Sequence, residues 1–316
     1  ILNYLKHNGE TSPHNLVRYL GISPQALYRH LKSLLLSDQI KKIGSSPKVF
    51  YKISTTQKQP QAIIVSESDK LFLQEYFYFV SPVGESFEGL DAMIAWCRRH
   101  NLSVQKTIND YKKTQFKYNK LKKEQFIDGI SKMDATFETV FLNKLLYLDF
   151  YAIERFGKTK LGYYLLYSKQ GQSLSFMKEL ICLIKPRIQE LINTNPFDAI
   201  GFVPPTVKRE FQIMKMIQEE CNFGLRILKI EKLKTPIIVP QKTLSKLNDR
   251  IANAKNTMLV TETQSFDRVL LIDDAIGSGA TLNEIAAQIK KKKITNHVTG
   301  LALTGSVKGF DIISEV

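Results

Sequence analysis

The sequence predicts an α/β protein. A parallel β-sheet flanked by helices is expected over residues 146–316. It is preceded by a small helix-and-hairpin domain at 1–54, a linker at 55–69 and a helical middle region at 70–145. Three observations carry this reading. Short apolar runs at Ala199–Val203, Val269–Ile272 and Val298–Thr304 alternate with helical patterns, as in a parallel sheet buried on both faces. Residues 1–54 hold two Ser-Pro helix starts and then two short β-like runs. Between these ends lies a Lys-rich stretch with helical spacing.

Length and composition set the bounds. A chain of 316 residues suggests two or three domains, and a hydrophobic content of 43% is ample for a core. No apolar run is long enough to span a bilayer, so no membrane association is expected. The three cysteines, Cys97, Cys182 and Cys221, are scattered and lack metal-site spacing, which fits a reduced, cytoplasmic setting and three small buried side chains. The sequence begins at Ile1 rather than Met, and a natural N-terminus upstream of it is the expectation. A formal net charge of +15 favours an acidic partner such as nucleic acid, or a Lys-rich solvated surface.

In the first domain, Ile1, Leu2 and Leu5 end one helix. Ser12-Pro13 starts a second with Leu16, Val17 and Leu20 as its stripe, and Ser23-Pro24 starts a third. In the third, Ala26, Leu27, Leu31, Leu34 and Leu35 form the inner face. Gln25, Tyr28, Arg29 and Lys32 form the outer one. Ile40–Ile43 and Val49–Lys52 make a hairpin with a polar tip at 44–48. This is the pattern of a winged helix-turn-helix, and the segment LVRYLGISPQALYRHLKSL looks like the bacterial winged-helix regulators. Residues 1–54 carry eight Lys or Arg against two Asp or Glu. Gln25, Tyr28, Arg29 and Lys32 would read or position DNA, while Lys41, Lys42 and Lys48 would contact phosphates. Protein contact or dimerisation is the other use of such a domain.

The polar stretch Thr55–Ser68 reads as a linker. Leu71–Val80 is an aromatic-rich candidate helix. Residues 86–145 read as helical, with Phe87, Leu90, Ile94 and Cys97 on one face. Arg98–Lys123 holds nine Lys or Arg and one Asp, interleaved with aromatics; either a solvated face or a nucleic-acid contact fits.

From Leu145 the texture becomes β-rich. Leu145–Ala152 and Lys160–Tyr167 read as a hairpin about Phe156-Gly157-Lys158. A helix at Leu174–Ile192, kinked at Pro186, is followed by a strand at Ala199–Val203 and a helix at Phe211–Cys221. Leu225–Ile230, Val269–Ile272 and Val298–Thr304 complete the strands. In such sheets ligands sit outside the carboxyl ends of the strands, so the Val203 and Ile272 ends are expected to face one crevice.

The most informative stretch is Arg268–Thr281, RVLLIDDAIGSGAT. A buried strand runs into two carboxylates, Asp273 and Asp274. A loop with Gly277 and Gly279 follows, then a helix marked by Leu282, Ile285, Ala286 and Ile289. Backbone N–H groups of the loop and helix start form an anion cradle, to which Ser278 and Thr281 add hydroxyl donors. The carboxylates suit a ligand with hydroxyl donors, or a bound metal.

This stretch resembles the phosphoribosyl pyrophosphate (PRPP) signature of the type I phosphoribosyltransferase family. The resemblance covers about 160–316 and implies a phosphoribosyltransferase-type sheet. It implies that Asp273 and Asp274 hold the ribose hydroxyls. Ala275, Gly277, Ser278, Gly279, Ala280 and Thr281 would hold the 5′-phosphate, with Mg2+ arriving with PRPP and no metal held directly. Phe202–Pro205 with Lys208 and Arg209 is similar to the pyrophosphate loop of the ComF-like branch, giving roles to Pro204, Pro205, Thr206, Lys208 and Arg209; Pro205 and Thr206 depart from its pattern. Gln241–Asn253 is similar to that branch's mobile flap, with Ser245 and Arg250. No nucleophilic constellation is needed or found, and the five histidines are dispersed.

The function expected is a DNA-binding transcription regulator, a homodimer by symmetry with its site, whose phosphoribosyltransferase-type domain senses PRPP or a nucleotide. An active PRPP-dependent phosphoribosyltransferase and a DNA-uptake or DNA-processing accessory protein are the alternatives.

Overall fold

A computed structural model describes residues 1–36, 39–44, 47–54, 65–233, 239 and 241–306. The expected linker lies mostly outside the described residues. The chain forms two compact units. One comprises Ile1–Ser66 with Cys97–Gln105; the other comprises Glu67–Trp96 and the chain from Lys106 onward.

In the first unit, helices α1 (Leu2–Asn8), α2 (Pro13–Leu20) and α3 (Pro24–Leu36) precede an antiparallel pair, β1 (Ile40–Ile43) and β2 (Phe50–Ile53). The Ser-Pro starts work as the sequence implies. Ser12 Oγ accepts from Asn15 N at 3.4 Å and Ser23 Oγ from Ala26 N at 3.2 Å, each satisfying an N–H that the first turn leaves over. Gly21 ends α2 at φ 63°, a left-handed conformation that glycine takes without steric cost. Leu5, Leu16, Leu27, Leu31, Ile40 and Tyr51 form the core. Thr11 and Tyr51 exchange backbone hydrogen bonds of 2.9 and 2.8 Å, so the turn before α2 is stitched to β2.

The chain continues with α4 (Glu67–Tyr76), β3 (Tyr78–Val80), β4 (Ser86–Glu88), α5 (Gly89–His100) and α6 (Val104–Asn119), all of the second unit except for Cys97–Gln105 at the end of α5 and the start of α6. Then follow β5 (Lys122–Lys123), β6 (Phe126–Asp128), α7 (Ile130–Asp134), β7 (Lys144–Phe150), β8 (Ala152–Ile153) and β9 (Gly157–Lys158). The middle stretch is therefore helical with two short hairpins added, and β5 and β6 join the main sheet. It is tied to the rest by aromatic packing. Tyr111 of α6 meets Phe77 at 4.8 Å and Phe156 at 5.0 Å between centroids, and donates from its hydroxyl to Tyr76 O at 3.0 Å.

The remaining elements are α8 (Lys160–Lys169), α9 (Leu174–Thr194), β10 (Ala199–Phe202), α10 (Ile213–Cys221), β11 (Arg226–Ile227), β12 (Ile230–Lys232), α11 (Leu247–Thr257), β13 (Met258–Val260), β14 (Arg268–Ala275), α12 (Ala280–Lys291) and β15 (His297–Gly305). Seven strands form a mostly parallel sheet in the order β11-β10-β14-β15-β7-β6-β5. The first five run parallel, and β6 and β5 extend the edge antiparallel. Leu270, Ile272, Leu301 and Leu303 pack with α8, α9 and α10 in one apolar cluster. The alternate residues Val269, Leu271, Val298 and Ala302 are equally buried, so helices flank both faces.

Three expectations are corrected. Lys160–Tyr167 is a helix, not the second strand of a hairpin. Thr159 caps it through Gly162 N at 3.0 Å, and Leu161, Tyr164, Leu165 and Ser168 are buried at helical spacing. Its β-rich aromatic composition yields to that period once Leu148, Leu180 and Ile184 offer a surface to pack on. Released from the hairpin, β7 lies inside the sheet beside β15. Leu225–Ile230 divides into β11 and β12, and β12 pairs with β13 in a separate ladder. Cys97 and Cys221 are buried, but Cys182 is exposed on α9. That helix runs unbroken through Pro186. Among the described residues, no helix is long and apolar enough to cross a membrane.

Candidate functional site

The cleft lies at the carboxyl ends of β10 and β14. Phe202 is in register with Ile272, and Val203 N donates to Ile272 O at 2.9 Å, so β10 ends level with Ile272. The strand expected to stop at Ile272 continues to Ala275, with Asp273 beside Ala302 and Ala275 beside Thr304. The carboxylates are thus held by the sheet rather than by a loose turn. Ile276 N donates to Thr304 O at 2.9 Å, and the chain then turns through Gly277–Gly279 into α12. Gly279 sits at φ 79°, a conformation strained for other residues, and a Cβ there would also meet Met133 Sδ at 2.4 Å, so the turn favours glycine. The start of α12 has no side-chain cap among the described residues; Ala280 N reaches Ser278 Oγ only at 3.4 Å. Its N-terminal N–H groups are available to an anion.

Asp273, Asp274, Ala275, Gly277, Ser278, Gly279, Ala280 and Thr281 line the cleft together with Pro204, Pro205, Thr206, Arg209 and Arg250. Lys208 and Ser245 are exposed and stand outside the lining. Arg250 is the most informative of these. It is 5% exposed, its Nε donates to Leu244 O at 2.7 Å, and a Cβ on Gly277 would stand 3.1 Å from its Nη1. Its buried Nη2 has no hydrogen-bond partner among the described residues. A buried guanidinium without an anion is costly, and burial lowers its pKa. Beside an open helix start, it is a cation awaiting an anion.

One lining residue, Lys169, has no role in the sequence reading, and Gln241 enters that reading only as the start of the flap-like stretch. Lys169 Nζ lies 2.8 Å from Asp274 Oδ2. It belongs to α8, and reading that segment as a strand concealed it; the helical spacing of Leu161, Leu165 and Ser168 was the available signal. Gln241 Nε2 donates to Thr281 Oγ1 at 3.2 Å and Arg250 O at 3.0 Å, fastening the segment before α11 to the loop. From behind the Pro204–Arg209 loop, Lys232 Nζ donates to Thr206 O at 3.0 Å, and burial lowers its pKa.

Burial, and then the charge of Asp274, hold the Asp273 carboxyl well above the usual carboxylate range, with Lys169 and the Asp274 N–H (2.8 Å) pulling the other way. The sign of the consequence follows from linkage. A carboxyl whose pKa is higher folded than unfolded stabilises most below the unfolded value, and the contribution is lost as pH rises through the folded one. Asp273→Asn should therefore melt higher than the parent at pH 8, by about 1–2 kcal/mol, and match it near pH 4. Thermal melts across pH check this; an equal difference at both ends would contradict it.

A metal arriving at this pair would meet the Lys169 ammonium already on Asp274. Among the described residues, no cluster of three or more His, Cys, Asp or Glu side chains is placed to hold an ion. The donor set does not suit a divalent cation.

In the first unit, Gln25, Tyr28, Arg29 and Lys32 are all exposed along α3, with Tyr28 at 53% exposure. Lys41, Lys42 and Lys48 are exposed on the hairpin; Ser45 and Ser46 of its tip lie outside the described residues. On α6, Lys106, Lys113, Phe116 and Lys117 are exposed, and Lys120 is exposed just beyond its end. Comparison with protein-family models and with curated proteins finds no match.

Proposed function

We propose that this chain is a ligand-responsive DNA-binding regulator, in which the α/β unit takes PRPP or a nucleotide as effector and the first unit binds DNA as a winged helix-turn-helix. The observation that carries the effector reading is Arg250. Its guanidinium approaches Gly277 through Nη1 and leaves Nη2 buried and unpartnered among the described residues, in the cleft that also holds the uncapped start of α12 and two carboxylates. Such a site matches a ribose 5-phosphate group. The diol donates to Asp273 and Asp274, and the phosphate accepts from the loop N–H groups and Arg250. Arg209 and the Pro204–Thr206 loop suit further phosphate. This reading agrees with the resemblance of the sequence to the type I phosphoribosyltransferases, ComF-like branch.

The DNA reading is supported by the exposed polar and basic residues of α3 and the hairpin, over a domain carrying eight basic against two acidic residues. A two-fold dimer matches a two-fold operator. An effector alters DNA affinity only by binding two domain arrangements unequally.

The test is fluorescence anisotropy on DNA from upstream of the protein's own gene, at fixed salt, with and without PRPP and Mg2+. Asp273→Ala should abolish the PRPP response and leave basal DNA binding intact. Arg29→Ala should weaken DNA binding by about 1–3 kcal/mol while sparing PRPP. A PRPP response that survives Asp273→Ala would sink the sensor reading. Pyrophosphate release on adding a base would favour the enzyme, and tight binding without sequence preference the DNA-processing role.

A further inference from the structure

The carboxylate pair of the cleft already has its own cation. Lys169 Nζ stands 2.8 Å from Asp274 Oδ2, and the two side chains are only 14% and 18% exposed. The same ammonium favours the ionised form of Asp273. It is delivered by the last turn of α8, whose start is fixed by the Thr159 cap and by Thr159 Oγ1 donating to Phe150 O at 2.7 Å. The charge is therefore built into the scaffold rather than carried on a loose surface chain. Two adjacent carboxylates at a strand end normally need a counter-ion before an anionic ligand can approach. Here Lys169 supplies one, and a divalent ion would have to approach against it.

We propose that Lys169 stands in for a divalent cation at the Asp273–Asp274 pair, so that the cleft binds a ribose 5-phosphate group without metal. The favoured ligand class is then a nucleoside 5′-monophosphate or a ribose 5-phosphate, rather than a metal-chelated pyrophosphate ester. The inference rests on the reading of the cleft as a ribose-phosphate site. In it, Lys169 is a positioning residue: it holds Asp274 through Oδ2 and offsets the charge of the pair. Arg250 and the α12 start serve the phosphate separately.

The experiment is titration calorimetry of the full chain with ribose 5-phosphate, once in EDTA and once in Mg2+, with 2-deoxyribose 5-phosphate as the diol control. The parent should bind ribose 5-phosphate equally in both buffers, within about threefold, and discriminate against the deoxy sugar. Lys169→Met should bind at least about tenfold more weakly in EDTA and recover in part with Mg2+. Lys169→Arg should keep metal-independent binding, which separates lost charge from lost fold. A parent that binds only with Mg2+, or a Lys169→Met protein that matches the parent in EDTA, overturns the role of Lys169 and leaves the cleft assignment standing. No ribose 5-phosphate binding by the parent in either buffer overturns the cleft assignment, and this inference with it.

Discussion

Replacing Arg250 by alanine should weaken ribose 5-phosphate binding by about two orders of magnitude, roughly 2–4 kcal/mol. The reason is the state of the guanidinium before any ligand arrives. It is buried, anchored through Nε to Leu244 O, and its Nη2 has no partner among the described residues. A bound phosphate would gain a charge-assisted, preorganised hydrogen bond, and the protein would lose an unsatisfied buried charge. Both gains vanish in the variant. The same substitution should leave the ligand-free protein as stable as the parent or more so, because it removes that charge. Calorimetry and thermal melting together check the pair of outcomes. Binding within threefold of the parent would show that the phosphate does not seat at Gly277–Thr281.

Gly162→Ala should lower stability by about 2–4 kcal/mol, a fall in melting temperature of roughly 5–10 °C. A Cβ at this position would stand 2.1 Å from Tyr151 O and 3.1 Å from Tyr151 C. Those are backbone atoms, so no side-chain rotation relieves the clash. Gly162 lies in the first turn of α8, where its N–H donates to Thr159 Oγ1 at 3.0 Å, so the helix start must move as a whole. Displacing α8 also displaces Lys169 from Asp274. The variant should thus lose ribose-phosphate affinity although residue 162 lines no part of the cleft. Melting and calorimetry check both effects; a melt unchanged within 1 °C would mean that Tyr151 yields at little cost.

The sequence by itself determined the α/β class, the strand–carboxylate–glycine loop–helix run at Arg268–Thr281, and the Ser-Pro helix starts of the first unit. Each is set by near neighbours along the chain: apolar period, cap chemistry, and glycine where φ is positive. The tertiary structure decided what depends on distant partners. Lys160–Tyr167 is rich in strand-forming residues, and only the surface offered by β7 and α9 makes its helical stripe the better choice. Lys122–Asp128 looks like the tail of a basic helix, yet joins the sheet because β7 presents a free edge to it. Lys169 carries no local signal and became a site residue only when α8 was folded onto the end of β14. Gln241 and Arg250 were marked by the flap-like stretch, but their contacts with Thr281 and Gly277 depend on how the segment around α11 folds onto the loop. Local preference is written in short stretches of sequence, whereas the meeting of a lysine, an arginine and two carboxylates is an outcome of packing.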